Sequence, residues 1–152
     1  MAAGLLILLV GVVFLTYGTN DPLFPAMPTD GYLPVIHIGE TPLRVHTADT
    51  PEKQQRGLSI FDRLAPATGM LFVFDHDDTY GIWMKDMKFA IDIIWVDAEG
   101  RIVDMEQHVA PETYPEVFSP HTPARYVIEV QSGFVEERSI TPSDIVDLSA
   151  AL

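Results

Sequence analysis

Two short apolar segments in the middle of the chain each contain a charged residue, and this combination limits the fold more than any other feature. The first segment is residues 81–85 (GIWMK), and the second is residues 91–97 (IDIIWVD). Both have the composition of buried strands, in which an unpaired charge is costly. In an antiparallel hairpin of the two segments, Lys85 would lie opposite Asp92. The sequence therefore predicts an ion pair at the rim of an apolar sheet.

The composition is that of one domain with a terminal extension. The chain has 152 residues, and 47% of them are hydrophobic, which is enough for one core. Its formal net charge of -13 argues against a nucleic-acid partner and against electrostatic adhesion to an anionic membrane surface. Cysteine is absent. Thiol catalysis, disulfides and thiolate metal sites are therefore excluded.

The N-terminal residues 1–17 contain no charge and consist mainly of Leu, Ile, Val, Ala and Gly. As a helix they would be about 25 Å long, close to the roughly 30 Å of a hydrocarbon core. No Ala-x-Ala signature follows them, and the first basic residue of the chain is Arg44. We expect residues 1–19 to be a signal-anchor or a signal peptide, so that the membrane is a partner through an apolar helix. The alternative is a buried core helix. If residues 1–19 are a signal-anchor, we expect the domain on the extracytoplasmic side of the cell membrane. If they are a cleaved signal peptide, we expect the domain to be secreted or periplasmic.

The rest of the chain is predicted to consist of a linker and one β-rich domain. Residues 20–34 contain four prolines and are typical of an extended linker. Residues 35–152 alternate short β-rich segments with turn residues, which predicts an all-β sandwich or barrel. Thr50, Pro51 and Gly57 predict one short helix by capping its two ends, and residues 133–138 can add one helical turn. The predicted strands are residues 35–38, 43–48, 69–74, 81–85, 91–96, 102–105, 125–130 and 145–148.

Five motifs in order resemble one uncharacterised prokaryotic family, domain of unknown function 192. They are RGL (56–58), GMLFVF (69–74), WMK (83–85), DI (92–93) and ARYVIE (124–129). The resemblance extends over residues 43–147, and it implies a jelly-roll-like β-sandwich and an N-terminal export signal or anchor. It implies no agreed activity. The chain departs from the family pattern at residues 86–90, where Asn-Thr and a Pro are usual, and at residues 141–144, where Gly-Asp is usual.

Charged and aromatic side chains in or beside the predicted strands form the candidate binding site. The cations could bind an anionic group, and the tryptophan could stack against a sugar or an apolar group. The alternative is that the charges form ordinary cross-strand ion pairs of little energetic value. We expect a small anionic or carbohydrate ligand and no cofactor. The candidate ligand-binding residues are Arg56, Trp83, Lys85, Asp92, Arg125 and Glu129.

The densest group of potential metal ligands is Asp75, His76, Asp77 and Asp78. Alternate oxygen ligands can hold Ca²⁺ or Mg²⁺, but the group lacks the glycine and distal glutamate of an EF-hand loop. Polar clusters between strands are usually solvated turns. We therefore expect a turn here and no metal site.

No catalytic constellation is apparent in the sequence. The serines lie in no Gly-x-Ser-x-Gly motif, and no glycine-rich phosphate loop is present. The sequence favours a non-catalytic binding or envelope-maintenance module. The alternatives are a hydrolase of envelope glycans or related polymers, using carboxylates such as Asp92 or Glu129, and an accessory subunit of a membrane complex.

Overall fold

A computed structural model describes residues 32–152, and residues 33–152 form one compact β-rich unit. The predicted N-terminal helix at residues 1–19, and the linker as far as residue 31, lie outside the described residues. Within residues 32–152, no helix is long and apolar enough to cross a membrane. The strands of this part are β1 (Val35–Ile38), β2 (Thr41–Ala48), β3 (Thr68–Asp78), β4 (Ile82–Trp83), β5 (Ile91–Val96), β6 (Ile102–Val109), β7 (Val117–Phe118), β8 (Ala124–Gln131) and β9 (Val146–Asp147).

Seven strands form one sheet in the order β6-β5-β8-β3-β2-β1-β9, and β4 and β7 form a separate two-stranded ribbon. Neighbouring strands of the large sheet are antiparallel except for β2 and β3, which are parallel. A parallel pair cannot be joined by a tight turn. The connection between β2 and β3 is therefore a crossover that contains helix α1 (Pro51–Arg56) and a 3₁₀ turn (Gly57–Ile60).

The sheet curls until its two edge strands meet at one end. Arg101, just before β6, forms an isolated β-bridge with Ile145, just before β9. The N–H of Val146 donates a hydrogen bond to the carbonyl of Gly100 at 2.7 Å. A Cβ atom on Gly100 would lie only 2.5 Å from the Val146 carbonyl oxygen, so this closure requires glycine. The result is a curled half-barrel that is closed at one point.

Apolar residues cover both faces of this sheet. One group, the α2-side cluster, includes Ile94 and Ile128 and packs against Val135 of helix α2 (Phe134–Glu137). The other group, the ribbon-side cluster, includes Ile93 and Trp95 and lies under the β4–β7 ribbon and the crossover. Because both faces are covered, all six residues of β5 are buried.

These observations confirm the predicted all-β class. Strand β5 has the predicted bounds. Strands β3 and β6 are both longer than the apolar segments from which they were predicted. Helix α1 begins as predicted, with the Lys53 N–H donating to the Thr50 hydroxyl at 3.4 Å, and it ends at Gly57, where φ is +48°. The single helical turn predicted at residues 133–138 is α2.

The predicted hairpin between residues 81–85 and 91–96 is wrong. Strand β4 pairs with β7, with Ile82 opposite Phe118. Strand β5 pairs with β6 on one side and with β8 on the other, so neither of its edges is free for β4. The pairing of these strands is therefore decided by contacts with distant segments and not by their proximity in sequence.

The chain between β4 and β5 instead forms a turn that packs on the ribbon-side cluster. The Met87 N–H donates to the Met84 carbonyl at 3.2 Å, and Asp86 has a left-handed backbone with φ of +59°. Asparagine and aspartate adopt this conformation more readily than most residues. Asp86 is therefore suited to this turn.

Candidate functional site

Asp92 does not pair with Lys85 and lies on the α2 side of the sheet. It is fully buried, and its carboxylate accepts two backbone hydrogen bonds. The His108 N–H donates to Oδ1 at 2.9 Å, and the Val135 N–H donates to Oδ2 at 3.0 Å. These bonds join β5 to the end of β6 and to the start of α2. Asp92 is therefore a structural residue whose acceptors are already used.

Arg125 also has a partner elsewhere. Its Nε lies 2.6 Å from Oδ1 of Asp77, and its side chain is partly exposed. Asp77 belongs to residues 75–78, which form the exposed end of β3 and not the predicted turn. Within residues 32–152, no group of three or more His, Asp or Glu side chains is arranged to hold a metal ion.

The other four candidate residues line one cleft on the ribbon side of the sheet. The cleft is small, with a cavity volume of about 70 Å³, and it is open to solvent on one side. Arg56 reaches it from the end of α1, Trp83 from β4, Lys85 from the turn after β4, and Glu129 from the middle of β8. The structure thus brings together four of the six residues that the sequence singled out, and it leaves Asp92 and Arg125 outside.

Glu129 lies among the buried walls of this cleft. Its strand neighbours are Met70 on β3 and Ile93 on β5, and only 4% of the residue is exposed. Its Oε2 atom is buried without a hydrogen-bond partner among the described residues. Burial raises the pKa of Glu129 from 4.5 to about 8, because desolvation disfavours the charged form. At neutral pH the carboxyl group is therefore mostly protonated.

The outer part of the cleft is cationic and aromatic. Trp83 is 45% exposed, and the Nζ atom of Lys85 lies 5.6 Å from the centre of its ring. The ring also meets the edge of Tyr114, with 5.9 Å between ring centres. Within the described part of the chain, neither Lys85 nor Arg56 forms an ion pair with a carboxylate. Both cations are exposed and available to a ligand.

The crossover places Arg56 beside Glu129 through two close contacts. The Gln54 side-chain amide donates to the Val73 carbonyl at 2.8 Å, which ties α1 to the middle of β3. A Cβ atom on Gly57 would lie 3.3 Å from Phe72 and 3.8 Å from Oε2 of Glu129, so the turn comes very close to the sheet. The RGL motif pointed to Gly57, whereas no sequence signal distinguished Gln54 from other exposed glutamines.

The polar side chains of the cleft are of the types that bind oxyanions in proteins. Arginine and lysine supply charge, and a protonated carboxyl group supplies one hydrogen-bond donor. Glu129 is the only carboxylate among the residues that line the cleft. Glycoside cleavage uses two carboxyl groups on either side of the scissile bond, and the described cleft does not provide a second one.

Comparison with known proteins agrees with the resemblance seen in the motifs. The model of the DUF192 family, described as "Uncharacterized ACR", matches residues 35–148. The chain is similar to a UPF0127 protein of Thermococcus gammatolerans, with 28% identity over 102 residues. This match covers 67% of the chain, and the chain spans 64% of the length of that curated relative.

Two crystal structures share the fold. One is a Sinorhizobium meliloti 1021 protein that is provisionally described as a transcription regulator, with a TM-score of 0.70, 25% identity, and coverage of 76% of this chain and 92% of that one. The other is a protein of unknown function from Novosphingobium aromaticivorans, with a TM-score of 0.72, 23% identity, and coverage of 81% of this chain and 91% of that one.

We expect Glu129→Gln to become more stable relative to the unchanged chain as the pH rises from about 4.5 to about 8. The folded pKa of Glu129 lies above its unfolded value, so its stabilising contribution is complete below pH 4.5 and is lost as the pH rises through 8. The difference in unfolding free energy should grow by at most about 1.4 kcal/mol per pH unit. Urea unfolding of both chains across this pH window measures it.

The matched control for this titration is Glu106→Gln, which changes an exposed glutamate on β6. This variant should keep a constant difference from the unchanged chain over the same window. If the Glu129→Gln difference were also independent of pH, the buried carboxyl would not have a raised pKa.

Proposed function

We propose that this chain, which belongs to the DUF192 family, is a binding module for a small ligand that combines an anionic group with a sugar ring or a similar flat face. The ligand would occupy the cleft formed by Arg56, Trp83, Lys85 and Glu129. The observation that carries this proposal is that two exposed cations without a described carboxylate partner lie in the same cleft as an exposed tryptophan. Arginine and lysine side chains beside an aromatic wall are suited to an acidic ring compound.

The aromatic wall supports a ring as part of the ligand. Trp83, Tyr114 and Val117 are each at least 45% exposed and lie on or beside the β4–β7 ribbon. Large apolar side chains that remain exposed beside a cleft are typical of binding surfaces. A pyranose ring stacked on Trp83 would cover part of this surface while its acidic group reached Lys85.

The overall charge supports a small ligand and not a polyanion. With a net charge of -13, the chain repels extended polyanions such as DNA. The regulatory description of the S. meliloti protein is therefore not carried over to this chain. A small anion can instead interact with the local positive charge of Arg56 and Lys85.

We also propose that the module works outside the cytoplasmic membrane, attached or exported by its N-terminal segment. Residues 1–17 carry no charge and have the composition of a signal-anchor or a signal peptide. A role in binding or maintaining the cell envelope would follow from that location. The hydrolase predicted as an alternative is less well supported, because the described cleft offers one carboxyl group. The accessory subunit is also less well supported, because the exposed large apolar side chains outside the ribbon, Ile60, Ile145 and Leu152, lie in three different segments of the described chain.

Replacement of either cleft cation should weaken binding of an acidic sugar. We expect Arg56→Ala and Lys85→Ala each to lower the affinity for D-glucuronate by about tenfold, because each removes a charge-assisted contact of about 1.5 kcal/mol. The titration can be followed by fluorescence, since Trp83 is exposed in the cleft and Trp95, the only other tryptophan, is fully buried.

The matched control is Arg125→Ala, which removes a cation that pairs with Asp77 outside the cleft. Its affinity for D-glucuronate should stay within about twofold of the unchanged chain, since exposed ion pairs contribute little. Absence of saturable D-glucuronate binding, or an equal loss in Arg125→Ala, would remove the cleft as the binding site.

The attachment of the chain to the membrane is tested by a separate experiment. We expect the full chain to stay with the membrane fraction after washing with alkaline carbonate, because an apolar helix of about 17 residues can remain in the hydrocarbon core. A chain that lacks residues 1–19 should appear in the supernatant. Release of the uncleaved full chain by the same wash would contradict a membrane-spanning anchor.

A further inference from the structure

We propose that Glu129 takes part in binding as a neutral carboxylic acid, which donates its proton in a hydrogen bond to an oxygen of the ligand's anionic group. The cleft would then select oxyanions, carboxylate or phosphate, and hold them best while this acid is protonated. The inference rests on the proposed function, because it concerns the same cleft and the same ligand.

The geometry of Glu129 indicates a missing partner. The residue is 96% shielded from solvent, since only 4% of it is exposed, and its Oε2 atom has no hydrogen-bond partner in the described part of the chain. Buried polar atoms of native proteins are almost always hydrogen-bonded. The same side chain lines the cleft. A ligand oxygen that reached this carboxyl group in the cleft would supply the partner that the described residues do not provide.

Asp92 is a second buried carboxyl group, and its hydrogen bonding differs from that of Glu129. This residue lies on the neighbouring strand, and both of its oxygens accept backbone N–H groups. Glu129 has no such arrangement on Oε2. Because the hydrogen bonds of Asp92 are made within the protein, we assign it a structural role. Because Oε2 of Glu129 has no partner among the described residues, we assign Glu129 a binding role.

The surroundings of Glu129 keep it neutral. The neighbouring strands contribute Met70, Phe72 and Ile93, which carry no charge, and the turn after α1 contributes Gly57. The charged groups that face the cleft are Arg56, from the end of α1, and Lys85, from the turn after β4. Desolvation is the cause of the raised pKa of Glu129, and no cation among the described residues opposes it.

A neutral acid at this position favours an anion over other ligands. Its single O–H donor forms a short and strong hydrogen bond with a charged oxygen. An ionised Glu129 would offer only acceptors and would repel the same anion. Anion binding should therefore weaken as Glu129 loses its proton, whereas a cationic ligand would bind more tightly over the same pH range.

The test uses ring-matched sugars on the full chain at pH 7 and pH 9. D-glucuronate supplies a carboxylate, D-glucose 6-phosphate supplies a phosphate, and D-glucose is the uncharged control. We expect the affinity for an oxyanion sugar to fall roughly tenfold between the two pH values, because the pKa of Glu129 is about 8. The acidic sugar whose affinity falls between pH 7 and pH 9 identifies carboxylate or phosphate as the preferred anionic group.

Two variants of Glu129 separate a donor from a merely structural group. Glu129→Gln carries a side-chain N–H donor at every pH, so its affinity should not fall between pH 7 and pH 9 and should exceed that of the unchanged chain about tenfold at pH 9. Glu129→Met has no donor and should bind more weakly at pH 7, again without a pH slope. The buried Trp95 indole, which donates to the Tyr80 carbonyl at 2.9 Å, reports by NMR that each variant is folded.

Two results would overturn the inference and are distinguishable. If an acidic sugar bound equally well at pH 7 and pH 9, or if Glu129→Gln showed the same fall as the unchanged chain, Glu129 would not be the donor while the proposed function would stand. If neither acidic sugar bound at pH 7, the proposed function would fail together with the inference.

Discussion

Strands β5 and β8 pair in the middle of the sheet and are covered on both faces, so a polar side chain that they carry must find a partner or lose its charge. Two carboxyl groups meet this constraint in different ways. Asp92 faces α2, and two backbone N–H groups satisfy its oxygens. Glu129 faces the ribbon and has no partner for Oε2 among residues 32–152, and its pKa rises to about 8, which favours the neutral form at neutral pH. The binding site proposed above lies on the side of the sheet that Glu129 faces.

The rest of the cleft follows from the topology. Because β2 and β3 are parallel, the chain must cross over the sheet between them, and this crossover brings Arg56 to the side where Glu129 lies. Strand β4 cannot pair with β5, since both edges of β5 are occupied, and it forms a ribbon with β7. The ribbon and its turn then bring Trp83 and Lys85 to the same cleft. The site is thus a consequence of how the sheet is covered.

Local signals in the sequence predicted the elements, and non-local packing decided how they pair. The capping residues Thr50 and Gly57 were sufficient to locate α1, and apolar patterning was sufficient to locate β5. The partner of β4 could not be predicted, because β7 is a two-residue strand within a proline-rich stretch that has no strand pattern. For the same reason the sequence grouped Asp92 and Arg125 with the cleft residues. Each of them is bound to a segment distant in sequence, and a single sequence does not reveal such partners.

The central claim is that a protonated Glu129 lines the cleft at neutral pH. The most direct measurement is a ¹³C NMR titration of the Glu129 side-chain carboxyl carbon in the full chain, assigned by its loss in Glu129→Gln. The account predicts a midpoint near pH 8. A midpoint near pH 4.5, the ordinary value for glutamate, would show that Glu129 is ionised at neutral pH and would contradict the account.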